Sequence, residues 1–324
     1  MKRNLKIVTS GQAVPKHVVT NQDLTAWLDT SNEWITSRTG IKARHLSDGE
    51  NTADLATRAA KQALERAKWD PTSLDLIIVA TMTPEALMPS TAATVQGRLG
   101  ATKAAAFDLS AACTGFVDAL TVANQMLQSP QFQRILVIGA ETMSKILDWQ
   151  DRTTAVLFGD GAGAVLVEAS DEPVGFLGFD LMTDGQQGSR LTAGQTSVTK
   201  KAPRPLTGLT PLQMDGRAVY KFATHEVPAS INRALAQAKV PVTAVDHFLL
   251  HQANSRIIRQ VAKRLGQPLA KFSQNIDRVG NTAAASEPLL LNEVIENGQL
   301  KRGETIVLSG FGGGLTAATI ILKY

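Results

Sequence analysis

Cysteine is nearly missing: Cys113 is the only one in 324 residues. An internal disulfide and a cysteine-built zinc site are thereby excluded, and a reducing compartment is permitted. Aromatic residues make up 5% of the chain, and no dense Lys/Arg run accompanies the formal charge of +4. Nucleic acid is therefore not the expected partner, and the small positive excess points to an acidic partner or an anionic substrate. No stretch reaches the ~18 apolar residues of a membrane span, and the basic start MKRNLKIVTS has too short an apolar run for a signal peptide. A cytoplasmic chain without membrane contact is expected. With 44% hydrophobic and 19% charged residues, one or two domains can bury a substantial core.

Apolar runs of strand length alternate with helical patterns. In the first half, strands are expected near 5–9, 74–81, 105–109 and 134–139, and helices over 21–29, 51–67, 90–99 and 113–127; 31–38 reads as a short polar-aromatic segment. The second half repeats the grammar: a helix over 215–238, a strand at 245–251, a helix at 254–265, a strand near 271–276, a helix at 286–297 and strands at 304–308 and 317–322. In element order, DLIIVAT matches DHFLLHQ, RILVIGAE matches ETIVLSGF, and GDGAGAVLV matches GGGLTAATIIL. Such self-similarity implies two βαβ-rich halves, 1–173 and 174–324, about a pseudo-twofold. Residues 183–212, rich in Gly, Thr, Pro and Lys, read as a mobile insertion or lid.

Cys113 falls where the strand at 105–109 gives way to a helix, so its thiol faces unpaired N–H groups that favour the thiolate. Under the pseudo-twofold, Asn281 occupies the equivalent corner of the second half, and His251 ends the neighbouring strand. A thiol, an imidazole and a carboxamide would thus share one site. His247 and His251 do not form a metal pair: four residues along a strand separate them by roughly 13 Å. No metal is expected. His17, His45 and His225 carry no supporting pattern. The glycine runs FGDGAGA and GFGGG lack the strand–GxGxxG–helix setting of a dinucleotide loop.

Taken together, SAACTGF around Cys113, FGDGAGA at 158–164, HQAN at 251–254, GNTAAAS at 280–286 and GFGGGLT at 310–316 resemble β-ketoacyl-acyl carrier protein synthase III of the thiolase superfamily. TSNEWITSRTGI and DGRAVYKFA extend the resemblance over nearly the whole chain. It implies an α/β fold of duplicated βαβαβ halves in a five-layered αβαβα architecture. It also implies a decarboxylative condensation of a short acyl-CoA with malonyl-acyl carrier protein that initiates fatty-acid synthesis. Acyl-CoA is then a substrate, and no cofactor is required.

By the same resemblance, Cys113 carries the acyl group, the N–H groups of Cys113 and Gly313 form the oxyanion hole, and His251 and Asn281 bind the malonyl thioester carbonyl. Trp34, Arg38, Arg152 and Asn254 would bind CoA, although Asn254 also suits a helix N-cap. Met88, on a loop that crosses a homodimer interface in the family, would limit primer length. Arg256, Arg259 and Lys263 share one helical face with Arg264 adjacent, and this face would dock the acidic carrier protein. Arg217 and Glu287 depart from the family pattern: the first stands where a smaller polar residue is common, the second where an apolar one is. An acid in a first helical turn has an ordinary dipole explanation. A biosynthetic thiolase would need a second cysteine, and an elongating synthase a second histidine where Asn281 stands. The remaining alternatives are an acyl-CoA-primed ketosynthase of polyketide metabolism and a non-catalytic subunit that binds acyl carriers.

Overall fold

The computed structural model describes residues 3–195 and 209–324. Nine strands build two mixed sheets, numbered here in chain order: β1 Asn4–Ala13, β2 Leu76–Ala80, β3 Ala105–Leu109, β4 Arg134–Glu141, β5 Gly161–Ser170, β6 Gly175–Thr183, β7 His247–Leu250, β8 Thr305–Gly312 and β9 Thr316–Lys323. The first sheet runs β1-β5-β4-β2-β3 and the second β7-β8-β9-β6. In the first, β2 pairs in parallel with β3 and β4, while β4–β5 and β5–β1 are antiparallel. In the second, β7–β8 is parallel, and β8–β9 and β9–β6 are antiparallel. The series β2, β4, β5, β1 is thus repeated in order and sense by β7, β8, β9, β6.

The principal helices are α1 Asn32–Thr39, α2 Thr52–Ala67, α3 Thr91–Leu99, α4 Gly115–Met126, α5 Gly216–Ala238, α6 Ser255–Arg264 and α7 Ser286–Glu296. Helices α4 and α7 touch strands of both sheets and form the central layer; α2 and α3 cover the outer face of the first sheet, and α5 and α6 that of the second. This stacking gives five layers, αβαβα. The central position explains why α4 is buried at Gly115, Phe116, Val117, Ala119, Leu120, Thr121, Ala123 and Asn124, which together cover roughly two-thirds of the helix circumference rather than one narrow stripe. Helix α2, with a single sheet to cover, instead carries an alanine stripe at Ala53, Ala56, Ala59, Ala60 and Ala63.

Three expectations need correction. The segment 31–38 is helical, as α1, because Ser31 caps it: its Oγ accepts the Trp34 N–H at 3.1 Å. The helix expected over 21–29 is one turn, Asn21–Leu24, opened by a Thr20–Asp23 capping box. The strand expected near 271–276 shrinks to one parallel bridge between Phe248 and Phe272, whose rings stack at 4.4 Å. The chain then turns away, with the Asn275 N–H donating to Gln252 Oε1 at 3.1 Å. The insertion read at 183–212 lies partly outside the described residues. Of its described ends, Leu191–Thr192 pairs with Gln213–Met214 beyond it. Among the described residues no helix is long and apolar enough to cross a membrane.

Candidate active site

Two corners of the same construction meet between the sheets. After β3 the chain makes a single 3-10 turn, Ala112–Thr114, and enters α4; in the second half the turn Ala283–Ala285 leads into α7. Each turn opens on an alanine in the left-handed region, Ala112 at φ 47° and Ala283 at φ 45°. That conformation costs an L-residue roughly 1–2 kcal/mol, and its presence at both corners reflects the duplication. The turns equate Cys113 with Ala284, so Asn281 lies just before its corner rather than at the position equivalent to the cysteine.

A cavity of about 400 Å³ opens at this junction, within the ~300–1,000 Å³ range of small-molecule sites. Its walls are mostly apolar, including Met82, Phe158, Leu191, Leu212 and Phe311, and Cys113, His251, Asn281, Asn254 and Gly313 reach it. Trp34, Arg38, Arg152 and Met88 do not line it, nor do the four basic residues of α6 or Arg217.

The orientation of the Asn281 amide is fixed. Its Oδ1 accepts the Ala283 N–H at 2.9 Å, while its backbone bonds to Leu157 O and Gly159 N, each at 2.9 Å. With the oxygen occupied, Nδ2 is the group left to donate into the cavity. His251 is held by its N–H to Ser309 O at 2.8 Å and by the edge-on ring of Phe311, 5.0 Å between centroids. Its Nδ1 is buried without a partner among the described residues. Burial lowers the imidazole pKa to about 3, so the ring is neutral at physiological pH and serves as a hydrogen-bond donor.

Cys113 departs from the sequence expectation of a thiolate near neutral pH. Burial, and then the Glu287 and Glu141 carboxylates, push its thiol up, opposed by its own backbone N–H. Glu287 is itself held well above the usual carboxylate range by burial, and burial is the larger cause of the effect on the thiol. The strand end β8 sits directly against Cys113. A Cβ on Gly312 would stand 2.9 Å from Cys113 Cβ and 3.1 Å from Sγ, so only glycine allows this approach. The N–H of neighbouring Gly313 is not bonded to a backbone carbonyl in the described turns and loops.

Helix α1 abuts the mouth through its last carbonyls, which α6 caps. Ser37 O accepts from Arg256 Nε and Nη2 at 3.1 and 2.8 Å, Arg38 O from Asn254 Nδ2 at 3.1 Å, and Thr39 O from Ser255 Oγ at 3.0 Å. Asn254 Oδ1 simultaneously accepts the Arg256 N–H at 2.8 Å, so it is also the N-cap of α6. Helix α1 presents Trp34, 37% exposed, with the Arg152 guanidinium 5.5 Å over its ring; Arg38 is exposed beside them. His247 faces Glu304 at 3.3 Å, away from the cavity lining. The glycine run 158–164 is structural around Asp160, whose carboxylate accepts from Ser47 N and from Ser144 N and Oγ at 2.6–2.9 Å. Among the described residues no cluster of three or more metal-ligating side chains occurs.

Fold and site together define a condensing enzyme on a duplicated, thiolase-like scaffold, with Cys113, His251 and Asn281 on one cavity. Profiles of the 3-oxoacyl-[acyl-carrier-protein] synthase III family match residues 107–185 and, for its C-terminal region, 235–324. A β-ketoacyl-[acyl-carrier-protein] synthase III of Limosilactobacillus reuteri is 53% identical over 99% of this chain and 100% of its own. One of Lactobacillus delbrueckii subsp. bulgaricus is 54% identical over 98% of both chains. The solved Aquifex aeolicus 3-oxoacyl-[acyl-carrier-protein] synthase III superposes with a TM-score of 0.93 at 42% identity, covering 99% of this chain and 100% of that one. The chain belongs to the β-ketoacyl-acyl carrier protein synthase III family, an acyltransferase family of fatty-acid biosynthesis.

Proposed function

We propose that the chain condenses a short acyl-CoA with malonyl-acyl carrier protein in two steps on Cys113. The sulfur attacks the acyl thioester, the carbonyl oxygen gathers charge beside the N–H groups of Cys113 and Gly313, and CoA leaves with the thiol proton. Malonyl-acyl carrier protein then enters. As CO2 departs, the enolate oxygen takes hydrogen bonds from His251 and from Asn281 Nδ2, and the carbanion displaces the cysteine from the acyl carbon. Preorganised donors suit this step because they need no reorganisation when the charge forms. The observation that carries the proposal is the convergence of Cys113, neutral His251 and the oriented Asn281 amide on one cavity. Its test is intact-protein mass spectrometry: incubated with acetyl-CoA, the protein gains one acetyl group, and Cys113→Ala gains none. Identity is lower, 34%, to the priming β-ketosynthase of the R1128 polyketide pathway, which favours the fatty-acid role.

The CoA nucleotide is proposed to bind at the mouth, with its adenine at Trp34 and Arg152 and its phosphates near Arg38. Carrier docking is proposed on α6, but its four cations are not equivalent. Arg256 is occupied by Ser37 O, and Arg264 Nη2 lies 3.0 Å from His225 Nε2. Arg259 and Lys263 are exposed and make no ion pair or side-chain hydrogen bond among the described residues. Reversing these two to Glu is expected to raise the KM for malonyl-acyl carrier protein roughly tenfold at low salt, with Cys113 acylation from acetyl-CoA unchanged. Equal loss with both substrates would reject docking there. Arg256→Glu should impair both, because it uncaps α1.

A homodimer is proposed through β3. This strand is the edge of its sheet, Phe107 on it is 36% exposed, and an unpaired edge is a template for another strand. The 81–90 segment projects beyond the fold, with Leu87 98% and Met88 82% exposed, as a tip that enters a partner's acyl pocket would. Met88→Ala is then expected to shift kcat/KM toward four- to six-carbon primers by roughly tenfold, up to ~0.8 kcal/mol for each methylene newly buried. An unchanged primer profile in an intact dimer would remove Met88 from the pocket.

A further inference from the structure

The 81–90 segment has two parts of opposite character. Its tip is exposed, whereas its stem, residues 81–85, is tied to buried groups. Glu141, at the end of β4 and fully buried, accepts from Thr81 Oγ1 at 3.1 Å, from the Met82 N–H at 3.2 Å and from Thr83 Oγ1. Thr83 Oγ1 in turn accepts the Thr142 N–H at 2.9 Å. Thr83 O accepts from Thr52 Oγ1 and Lys145 Nζ, both at 2.5 Å, and Lys145 Nζ also donates to Pro84 O at 3.1 Å. Burial raises the Glu141 carboxyl to about 7 against the pull of its three donors.

None of these groups lines the cavity, but the residue they bracket does. Met82 reaches the cavity and packs in the apolar cluster of Cys113, Met143 and Phe158. Apolar packing alone tolerates a sliding loop, since methionine adapts cheaply. Three directional bonds on consecutive residues instead fix the backbone at Met82 in register. We propose that Glu141 is a positioning residue for primer selection, holding the stem so that Met82 sits at a fixed depth in the cavity that receives the acyl group. The proposal rests on the synthase function above.

The test compares kcat/KM for acetyl-CoA with that for butyryl-CoA on a single preparation of each variant. Any loss of folded enzyme cancels in this ratio, so a purely structural defect leaves it unmoved. Glu141→Gln, which puts an amide NH2 among donors, and Thr83→Val, which deletes one donor, are each expected to lower the acetyl preference at least threefold. Thr83→Ser, which keeps the hydroxyl, should retain the wild-type ratio. A wild-type ratio in Thr83→Val, or the same shift in Thr83→Ser as in Thr83→Val, overturns the proposal even if Glu141→Gln does not fold. Failure of the wild-type protein to acylate Cys113 would instead overturn the synthase function on which it rests.

Discussion

Given acetyl-CoA, a His251→Ala protein is expected to acquire the acetyl group on Cys113 and then to stall. Acylation needs the sulfur and an oxyanion site, which on the proposed mechanism come from the corner Ala112–Thr114 and the glycine strand end without the imidazole. Decarboxylation needs donors at the enolate oxygen. Removing one such donor typically costs 10²–10³ in rate, or ~2.7–4 kcal/mol, so His251→Ala and Asn281→Ala should each lose condensation by about that factor or more. Both should still show an acetylated protein by intact mass. Because burial raises the Cys113 thiol, the thiolate fraction climbs with pH through the neutral range, and the acylation rate is expected to climb with it rather than level off near pH 7. His251, with its pKa lowered to about 3, contributes no titration between pH 5 and 9. Normal condensation by His251→Ala, or acetylation of Cys113→Ala, would overturn the assignment of roles.

The element order was legible because central strands such as LIIVA at 76–80 are apolar throughout and stand between helical patterns. The position of Cys113 was legible for the same reason: a short apolar run of strand length at 105–109 gives way to Phe116, Leu120 and Ala123 at helical spacing. What sequence could not supply were relations between residues far apart in the chain. That Arg256 is held by Ser37 O, 219 residues away, removes it from a docking face that helical spacing alone had included. The bond from the Ala283 N–H that turns Asn281 outward depends on a left-handed alanine, which no residue type announces. Glu141 carries no signal in the sequence, because a lone acid at a strand end does not announce its burial. The helix expected over 21–29 starts at a Thr20–Asp23 capping box but gives way after one turn to i→i+3 turns, Ala26 N–H to Asp23 O and Trp27 N–H to Leu24 O.

Glu287 is the clearest case of an ordinary pattern concealing an unusual environment. Read as a first-turn acid answering the helix dipole, it belongs on the surface. In fact α7 lies between two sheets, and Glu287 is 0% exposed with neither carboxyl oxygen hydrogen-bonded among the described residues. Its Oε1 faces β8 where a Cβ on Gly310 would come within 2.8 Å, and Asp118 adds like charge. Replacing it by valine, similar in volume and apolar, is expected to stabilise the protein by ~1–3 kcal/mol, the cost of burying an unpaired polar group. The gain should depend on pH in a definite sense. The folded-state pKa is raised above the ordinary value of 4.5, so between the two values the native state holds a proton that the unfolded chain has lost. Wild-type stability is therefore full below about pH 4.5 and declines as pH rises toward the folded pKa. The valine variant lacks this decline, so its advantage in urea denaturation should be small at pH 5 and larger at pH 8.5, with acylation of Cys113 retained. A gap that stays constant between these pH values would mean that the carboxyl titrates normally, as a solvated or partnered acid would.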